Sequence, residues 1–102
     1  MKIAITGGSG FIGQRLMALL QQAGHECVNI DIRAAQPIDI LDLPGLTSAL
    51  KGCDGVYALA AEHRDDVTPR SRYYDVNVKG TKNICDACDA NGIKRLVFTS
   101  SF

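Results

Sequence analysis

Short apolar runs recur along the chain, and each is bounded by glycine, charged or polar residues. A run of this kind is typical of a strand in a parallel sheet, where both faces of the strand are covered. The pattern predicts four strands, at 3–5, 27–32, 56–61 and 96–100.

Between these runs, apolar residues recur at helical spacing. The first helix is predicted to end at Gly24, because glycine readily takes the left-handed conformation that closes a helix. A short helix is predicted over 43–51, before Gly52. A long helix is predicted to open at Thr68–Pro69, a favourable pair for a helix start, and to end at Asn91–Gly92. The stripes predicted to face the core are Ile12, Leu16, Leu19, Leu20 and Ala23 in the first helix, and Val78, Thr81, Ile84, Cys85 and Cys88 in the long one.

Helices that alternate with strands act as crossover connections, and crossovers join parallel strands. The predicted fold class is therefore α/β, a doubly wound parallel sheet. Ligands of such sheets bind beyond the carboxyl ends of the strands. Functional residues are accordingly expected just after Ile5, Ile30, Leu59 and Phe98.

The composition fits one globular domain and narrows its partners. The chain has 102 residues, of which 46% are hydrophobic and 22% are charged. Eleven basic residues balance eleven acidic ones, so the chain lacks the basic excess of a nucleic-acid-binding domain. Its apolar runs are too short to span a membrane, and its start is unlike a secretory signal. We expect a cytoplasmic protein with neither nucleic acid nor a membrane as its partner.

The four cysteines are Cys27, Cys53, Cys85 and Cys88. The last two have the spacing of a redox pair or half of a zinc site, but the chain has no second such pair. We expect small core residues and no metal site, with a redox role for the pair as the alternative.

A glycine loop lies where the first strand meets the first helix. Gly7, Gly10 and Gly13 have the spacing G-x-x-G-x-x-G. In a dinucleotide-binding loop the first glycine permits a tight turn, the second lets a pyrophosphate approach, and the third lets the helix pack closely. The N–H groups of the helix N-terminus then face the phosphates. The alternative is a tight turn that binds no nucleotide.

An acid stands at the end of the second predicted strand. Asp31 is placed to accept hydrogen bonds from the ribose hydroxyls of an adenosine, and its charge would repel a 2′-phosphate. This favours NAD over NADP as the cofactor. Arg33, two residues later, is able to hold such a phosphate and leaves NADP open.

Five segments, in order, resemble one protein family. Thr6–Gly13 resembles the T-G-G-x-G-F-I-G loop of the extended short-chain dehydrogenases/reductases, which are the NAD-dependent epimerases and dehydratases typified by UDP-galactose 4-epimerase. Residues 39–42 resemble the family's D-[IV]-x-[DN] segment, and 59–61 its L-A-A stretch. Residues 73–81 resemble its Y-x-x-x-N-V-x-G-T helix, and 98–101 its F-[ST]-S-S strand end. The resemblance covers the whole chain and implies a Rossmann-type fold.

The resemblance also implies roles for particular residues. Asp39 and the main-chain amide of Ile40 would meet the adenine edge, Asn77 would support the cofactor side of the site, and Ser101 would contact the substrate at the catalytic centre. The residues assigned to the cofactor are Gly7, Gly10, Phe11, Ile12, Gly13, Asp31, Arg33, Asp39, Ile40, Leu59, Ala60, Ala61, Asn77, Thr99 and Ser100.

The family's catalytic Tyr-x-x-x-Lys, in which the lysine lowers the tyrosine pKa, does not occur in the chain. We therefore expect residues 1–102 to be the N-terminal part of an NAD-binding Rossmann domain, truncated after about four strands and inactive by itself. The substrate domain would lie outside it. The resemblance implies that the parent is a homodimeric enzyme that transfers hydride between NAD and a nucleotide-sugar. The alternative is a non-catalytic dinucleotide sensor.

Overall fold

A computed structural model describes residues 1–59 and 70–99, with the backbone alone for 70–77. Within these ranges strands and helices alternate as the sequence predicts. The elements are β1 (Lys2–Thr6), α1 (Phe11–Gln22), β2 (Glu26–Ile30), α2 (Leu43–Ala49), β3 (Gly55–Ala58), α3 (Arg70–Ala90) and β4 (Arg95–Phe98). No helix in the described part of the chain combines the length and apolar character that a membrane crossing needs.

The four strands form one parallel sheet in the order β2-β1-β3-β4, which confirms the predicted fold class. The strand order reverses direction at β1, because β2 lies on one side of it and β3 on the other. Thr6 pairs with Ile30 on one side and with Ala58 on the other, and Ala58 pairs with Phe98. These four residues form a straight row at the carboxyl end of the sheet.

Helices cover both faces of the sheet. Neighbouring residues of β2 show this, since the Cys27 thiol lies 3.8 Å from the carbonyl oxygen of Met17 on α1, whereas Val28 packs against the core. That core lies between the sheet and the pair α2 and α3. Its buried members are Ala4, Ile30, Leu46, Leu50, Cys53, Val56, Ala58, Ile84, Ala87, Cys88 and Ile93.

The helices end at glycines, as predicted. Gly24 after α1 and Gly92 after α3 have φ angles of +91° and +68°, in the left-handed region that favours glycine. The start of α2 has a side-chain cap, since the Asp42 carboxylate accepts the Gly45 N–H at 3.3 Å.

Strand β2 is shorter than the sequence predicts. It ends at Ile30 instead of residue 32, because the chain turns at Asp31. The carbonyl oxygen of Asp31 accepts the N–H of Ala34 at 3.1 Å, and its carboxylate accepts the N–H of Arg33 at 2.9 Å. The turn therefore places the Asp31 carboxylate just beyond the end of β2.

The predicted buried stripes of two helices are partly wrong. On α1, Leu16 and Leu20 are half-buried, but Ile12 and Leu19 are 61% and 64% exposed, and Ala23 is exposed too. The close packing of Gly13 against the loop sets the rotation of this helix and turns Ile12 outward.

On α3, the prediction is right for Ile84 and Cys88, which are buried, and wrong for Val78 and Thr81, which are exposed. Gly80 is buried instead. Periodicity alone did not distinguish these faces, because the residue that makes the closest contact is a glycine.

All four cysteines have free thiols, and Cys53 and Cys88 are buried in the core. Burial raises the pKa of Cys88 above its ordinary value, with smaller contributions from Cys85, Asp89 and Cys53. A raised pKa keeps the thiol protonated and poorly reactive. This environment suits a small core residue.

Candidate functional site

The ends of the four strands are tied together at one edge of the sheet. The N–H of Gly7 donates to the carbonyl oxygen of Ile30 at 2.9 Å, which joins the ends of β1 and β2. The N–H of Leu59 donates to the Thr6 hydroxyl at 3.1 Å and joins β3 to β1. The N–H of Thr99 donates to the carbonyl oxygen of Ala58 at 3.1 Å and joins β4 to β3. Four predicted site residues therefore follow one row: Asp31, Gly7, Leu59 and Thr99.

The glycine loop is a tight turn that needs glycine at two points, at Gly7 for backbone conformation and at Gly13 for space. Gly7 has a φ of +70°, and its carbonyl oxygen accepts the N–H of Gly10 at 3.0 Å. A Cβ on Gly13 would lie 2.6 Å from the Cα of Gly8 and closer still to the Gly7 oxygen. The third glycine thus lets α1 pack directly on the loop, as predicted from its spacing.

The N-terminus of α1 has no side-chain cap. Gly10 stands at the cap position in extended conformation, and the first turn contains no acidic residue. The N–H groups of Phe11 and Ile12 have no hydrogen-bond partner among the described residues, so both are available at the helix start. Unpaired N–H groups and the helix dipole together make such an end attractive to an anion.

Ser9 anchors the loop to β2, a role that sequence reasoning missed. Its N–H donates to Oδ2 of Asp31 at 3.1 Å, and its hydroxyl accepts Nδ2 of Asn29 at 3.0 Å. Its carbonyl oxygen accepts Nε2 of Gln14 at 2.8 Å. The one signal in the sequence was Asn29 itself, a polar residue inside an apolar run.

Asn29 also explains why position 8 is a glycine. Its Oδ1 is buried and has no hydrogen-bond partner among the described residues. The Oδ1 and Cγ of Asn29 lie where a side chain on Gly8 would have to go, with Cγ only 2.8 Å from the position of a Cβ. A side chain at position 8 would therefore have to displace the Asn29 amide.

Asp31 is buried and ionised. Burial opposes its ionisation, but hydrogen bonds from the main-chain N–H groups of Arg33 and Ser9, together with the Arg33 guanidinium, hold the pKa of the carboxyl below its ordinary value. Nε of Arg33 lies 3.4 Å from Oδ1, and that side chain is half-exposed. A carboxylate is an acceptor only, which matches the hydroxyl donors of a ribose.

Asp39 and Ile40 lie in a turn that the structure attaches to β2 and to α3. The N–H of Ile38 donates to the carbonyl oxygen of Asp31 at 3.2 Å, which brings the turn to the end of β2. Oδ1 of Asp39 accepts the N–H of Leu41 at 2.9 Å. Asn83 donates from Nδ2 to the carbonyl oxygen of Ile40 at 2.9 Å. Neither Oδ2 of Asp39 nor the N–H of Ile40 has a hydrogen-bond partner among the described atoms, which leave out the side chains of 70–77.

The structure therefore joins the loop, Asp31, Leu59 and Thr99 at one edge, with the turn at 39–42 attached beside β2. Asn77 lies on α3, and its side chain is outside the described part. The remaining predicted residues lie outside the described residues altogether; they are Ala60, Ala61, Ser100 and Ser101.

This edge fits a dinucleotide. The uncapped α1 N-terminus and the bare backbone of the glycine loop suit a pyrophosphate, and ionised Asp31 suits a ribose. No cluster of three or more metal-ligating side chains occurs in the described part of the chain.

Comparisons with known proteins agree with this geometry. The model of the "NAD dependent epimerase/dehydratase family" matches residues 3–102. The chain is 44% identical, over 97% of its length, to N-acetyl-alpha-D-glucosaminyl-diphospho-ditrans,octacis-undecaprenol 4-epimerase of Escherichia coli O157:H7, and covers 32% of that protein.

Two solved structures resemble the chain closely. A short-chain dehydrogenase/reductase superfamily protein from Agrobacterium tumefaciens with bound NAD has a TM-score of 0.86 and 31% identity, with 99% of this chain and 33% of that one covered. UDP-N-acetylglucosamine 4-epimerase from Bacillus cereus has a TM-score of 0.84 and 30% identity, with 99% and 35% covered. This chain thus spans about a third of the length of these relatives. The chain belongs to the NAD dependent epimerase/dehydratase family.

Proposed function

We propose that the chain forms the N-terminal, dinucleotide-binding part of an enzyme that acts on a nucleotide-sugar as an epimerase, dehydratase or reductase. The observation that carries the proposal is the uncapped α1 N-terminus packed on the glycine loop beside ionised Asp31. NAD supplies a hydride acceptor when it is bound. Support for a sugar substrate comes from the Bacillus cereus relative, whose name states that it is an epimerase of UDP-N-acetylglucosamine.

The pyrophosphate would lie over the glycine loop. Main-chain N–H groups at Phe11 and Ile12 would face it, since no side chain caps that end of the helix, and the bare Cα of Gly10 would let it approach. The charge of the pyrophosphate would be further stabilised by the α1 dipole.

The adenosine would lie toward β2 and the turn at 39–42. Asp31 would accept the ribose hydroxyls, while Asp39 and the Ile40 N–H would meet the adenine edge. The nicotinamide side would lie toward β3 and β4, near Leu59 and Thr99, with Ala60, Ala61, Asn77 and Ser100 as its further contacts. Ser101 would contact the substrate.

The preferred cofactor would be NAD. Asp31 is ionised, and a 2′-phosphate placed beside it would be repelled. The Arg33 guanidinium faces Asp31 and is held by it. Arg33 is thus engaged by a carboxylate that a competing phosphate would have to displace.

The test is a titration of NAD and NADP into the protein at its full natural length. Asp31→Ala should weaken NAD by between about tenfold and about a hundredfold, since a hydrogen bond to a charged group is worth roughly 1.5–3 kcal/mol. The same change should narrow the preference for NAD over NADP.

Asp54→Ala is the matched control. Asp54 also accepts a main-chain N–H, that of Lys2 at 2.8 Å, but it lies at the opposite edge of the sheet. This variant should bind both dinucleotides as the unmodified protein does. If Asp31→Ala keeps the same preference for NAD over NADP, Asp31 does not bind the ribose. A protein that binds neither dinucleotide would refute the proposal.

A further inference from the structure

Two residues of α3 hold the turn at 39–42, although they follow it by about forty positions. Asn83 donates from Nδ2 to the carbonyl oxygen of Ile40 at 2.9 Å. Gly80, one turn earlier on the same face of α3, lies against the Ile40 side chain. A Cβ on Gly80 would be 3.1 Å from Cγ1 of Ile40 and closer still to its Cδ1.

Asn83 and Asp39 bind the two sides of the same peptide group, the one that joins Ile40 to Leu41. The carbonyl oxygen of Ile40 and the N–H of Leu41 belong to the same planar peptide unit. Asn83 holds the oxygen of this unit, and Oδ1 of Asp39 accepts its N–H at 2.9 Å. Fixing one side of a rigid plane fixes the other side, so Asn83 sets the orientation of the Asp39 carboxylate.

The bonds within the turn cannot supply this orientation. They fix the shape of the turn, as where the N–H of Asp42 donates to the carbonyl oxygen of Asp39 at 2.9 Å. They do not fix where the turn stands relative to α3. Contact with α3 does so, through one hydrogen bond and one apolar contact.

The result is a pair of unengaged groups held in a defined place. Oδ2 of Asp39 is an acceptor, and the N–H of Ile40 is a donor, and both lack partners among the described residues. An adenine edge offers the complement, an amine donor beside a ring-nitrogen acceptor. A hypoxanthine edge offers a carbonyl acceptor beside an N–H donor, which opposes both groups.

We propose that Asn83 and Gly80 are positioning residues that set the selectivity of the dinucleotide site for adenine. The proposal rests on the proposed function, since it assigns adenine to the turn at 39–42. Neither residue touches the base. They act through Ile40 and the peptide unit that orients Asp39.

The experiment compares NAD with nicotinamide hypoxanthine dinucleotide. Dissociation constants for both are measured by calorimetry on the full-length protein. The readout is the dissociation constant of the hypoxanthine analogue divided by that of NAD. The unmodified protein should prefer NAD by about tenfold or more, because two hydrogen-bonding positions are mismatched in the analogue. Asn83→Ala should bring the ratio to within about threefold of one, because the Asp39 carboxylate is no longer fixed.

Asn91→Ala is the matched control. Asn91 also links α3 to the α2 region, with Nδ2 donating to the carbonyl oxygens of Thr47 at 3.0 Å and Ala87 at 2.9 Å. It follows the last residue of α3, about two helical turns beyond Asn83 and away from the turn at 39–42. Its loss should lower stability to a similar degree and leave the ratio unchanged.

Gly80→Ala provides a second variant if Asn83→Ala does not fold. Its methyl group meets the flexible end of the Ile40 side chain, which is able to shift, so the protein should fold with a reduced ratio. An unchanged ratio in the folded variants overturns the inference, as does an equal fall in Asn91→Ala. An unmodified protein that binds both dinucleotides equally overturns the inference and leaves the proposed function standing. An unmodified protein that binds neither overturns both.

Discussion

Alanine in place of Gly13 should disturb the junction between the glycine loop and α1. The added Cβ would lie 2.6 Å from the Cα and 2.9 Å from the carbonyl carbon of Gly8, and nearer to the Gly7 oxygen. Carbon atoms normally approach to about 3.5 Å, so helix and loop must separate by about 1 Å. The atoms in the way belong to the backbone, and no side chain can rotate to make room.

Two opposing effects determine the change in stability. Overpacking of a tight contact costs about 1–3 kcal/mol, and a clash with backbone belongs in the upper part of that range. Replacing glycine by alanine within a helix returns about 1 kcal/mol. The free energy of unfolding should therefore fall by about 1–2 kcal/mol. The free energy of NAD binding should change by more than the free energy of unfolding, by about 2.8 kcal/mol or a hundredfold in affinity. The reason is that a displacement of about 1 Å misplaces the N–H groups that face the pyrophosphate.

Urea unfolding and NAD titration of the full-length protein measure the two quantities. Ala18→Gly is the matched control, since Ala18 is exposed in the middle of the same helix. It should lose about 1 kcal/mol from helix propensity and keep its affinity for NAD. The reasoning would be refuted by a Gly13→Ala protein that is more stable than the unmodified one and binds NAD equally well.

Two further predictions concern the strand ends. Asp31→Asn should flatten the pH dependence of the free energy of unfolding below about pH 4. Because the native pKa of Asp31 is lowered, its contribution to stability is present above the ordinary pKa of an aspartate and is lost as the pH falls through the native pKa. Unfolding free energies of both proteins across that acid range test this, and parallel curves would contradict it. Thr6→Val should cost about 1–3 kcal/mol by leaving the Leu59 N–H without its acceptor, whereas Thr6→Ser keeps the hydroxyl and should cost less. A larger loss in Thr6→Ser than in Thr6→Val, measured by chemical denaturation, would mean that the methyl group, and not the hydrogen bond, matters.

Several features of the fold followed from the sequence alone. The order of strands and helices was evident because apolar runs and helical spacing are local patterns, and parallel pairing follows from the crossovers. The position of the glycine loop and of Asp31 was evident for the same reason, since both are defined by their distance from a strand end. The structure placed them at the expected edge.

Tertiary contacts decided the faces of the helices and the supports of the site. Ile12 points outward because Gly13 packs on the loop, and a glycine adds nothing to a hydrophobic pattern. Ser9 meets Asn29 across 20 positions, and Asn83 meets Ile40 across 43. These pairs join residues with no shared local pattern, and their hydrogen bonds depend on how strands and helices pack. The sequence determined which elements form and where the loop lies, whereas only the packed structure determined what holds the loop and the adjoining turn in place.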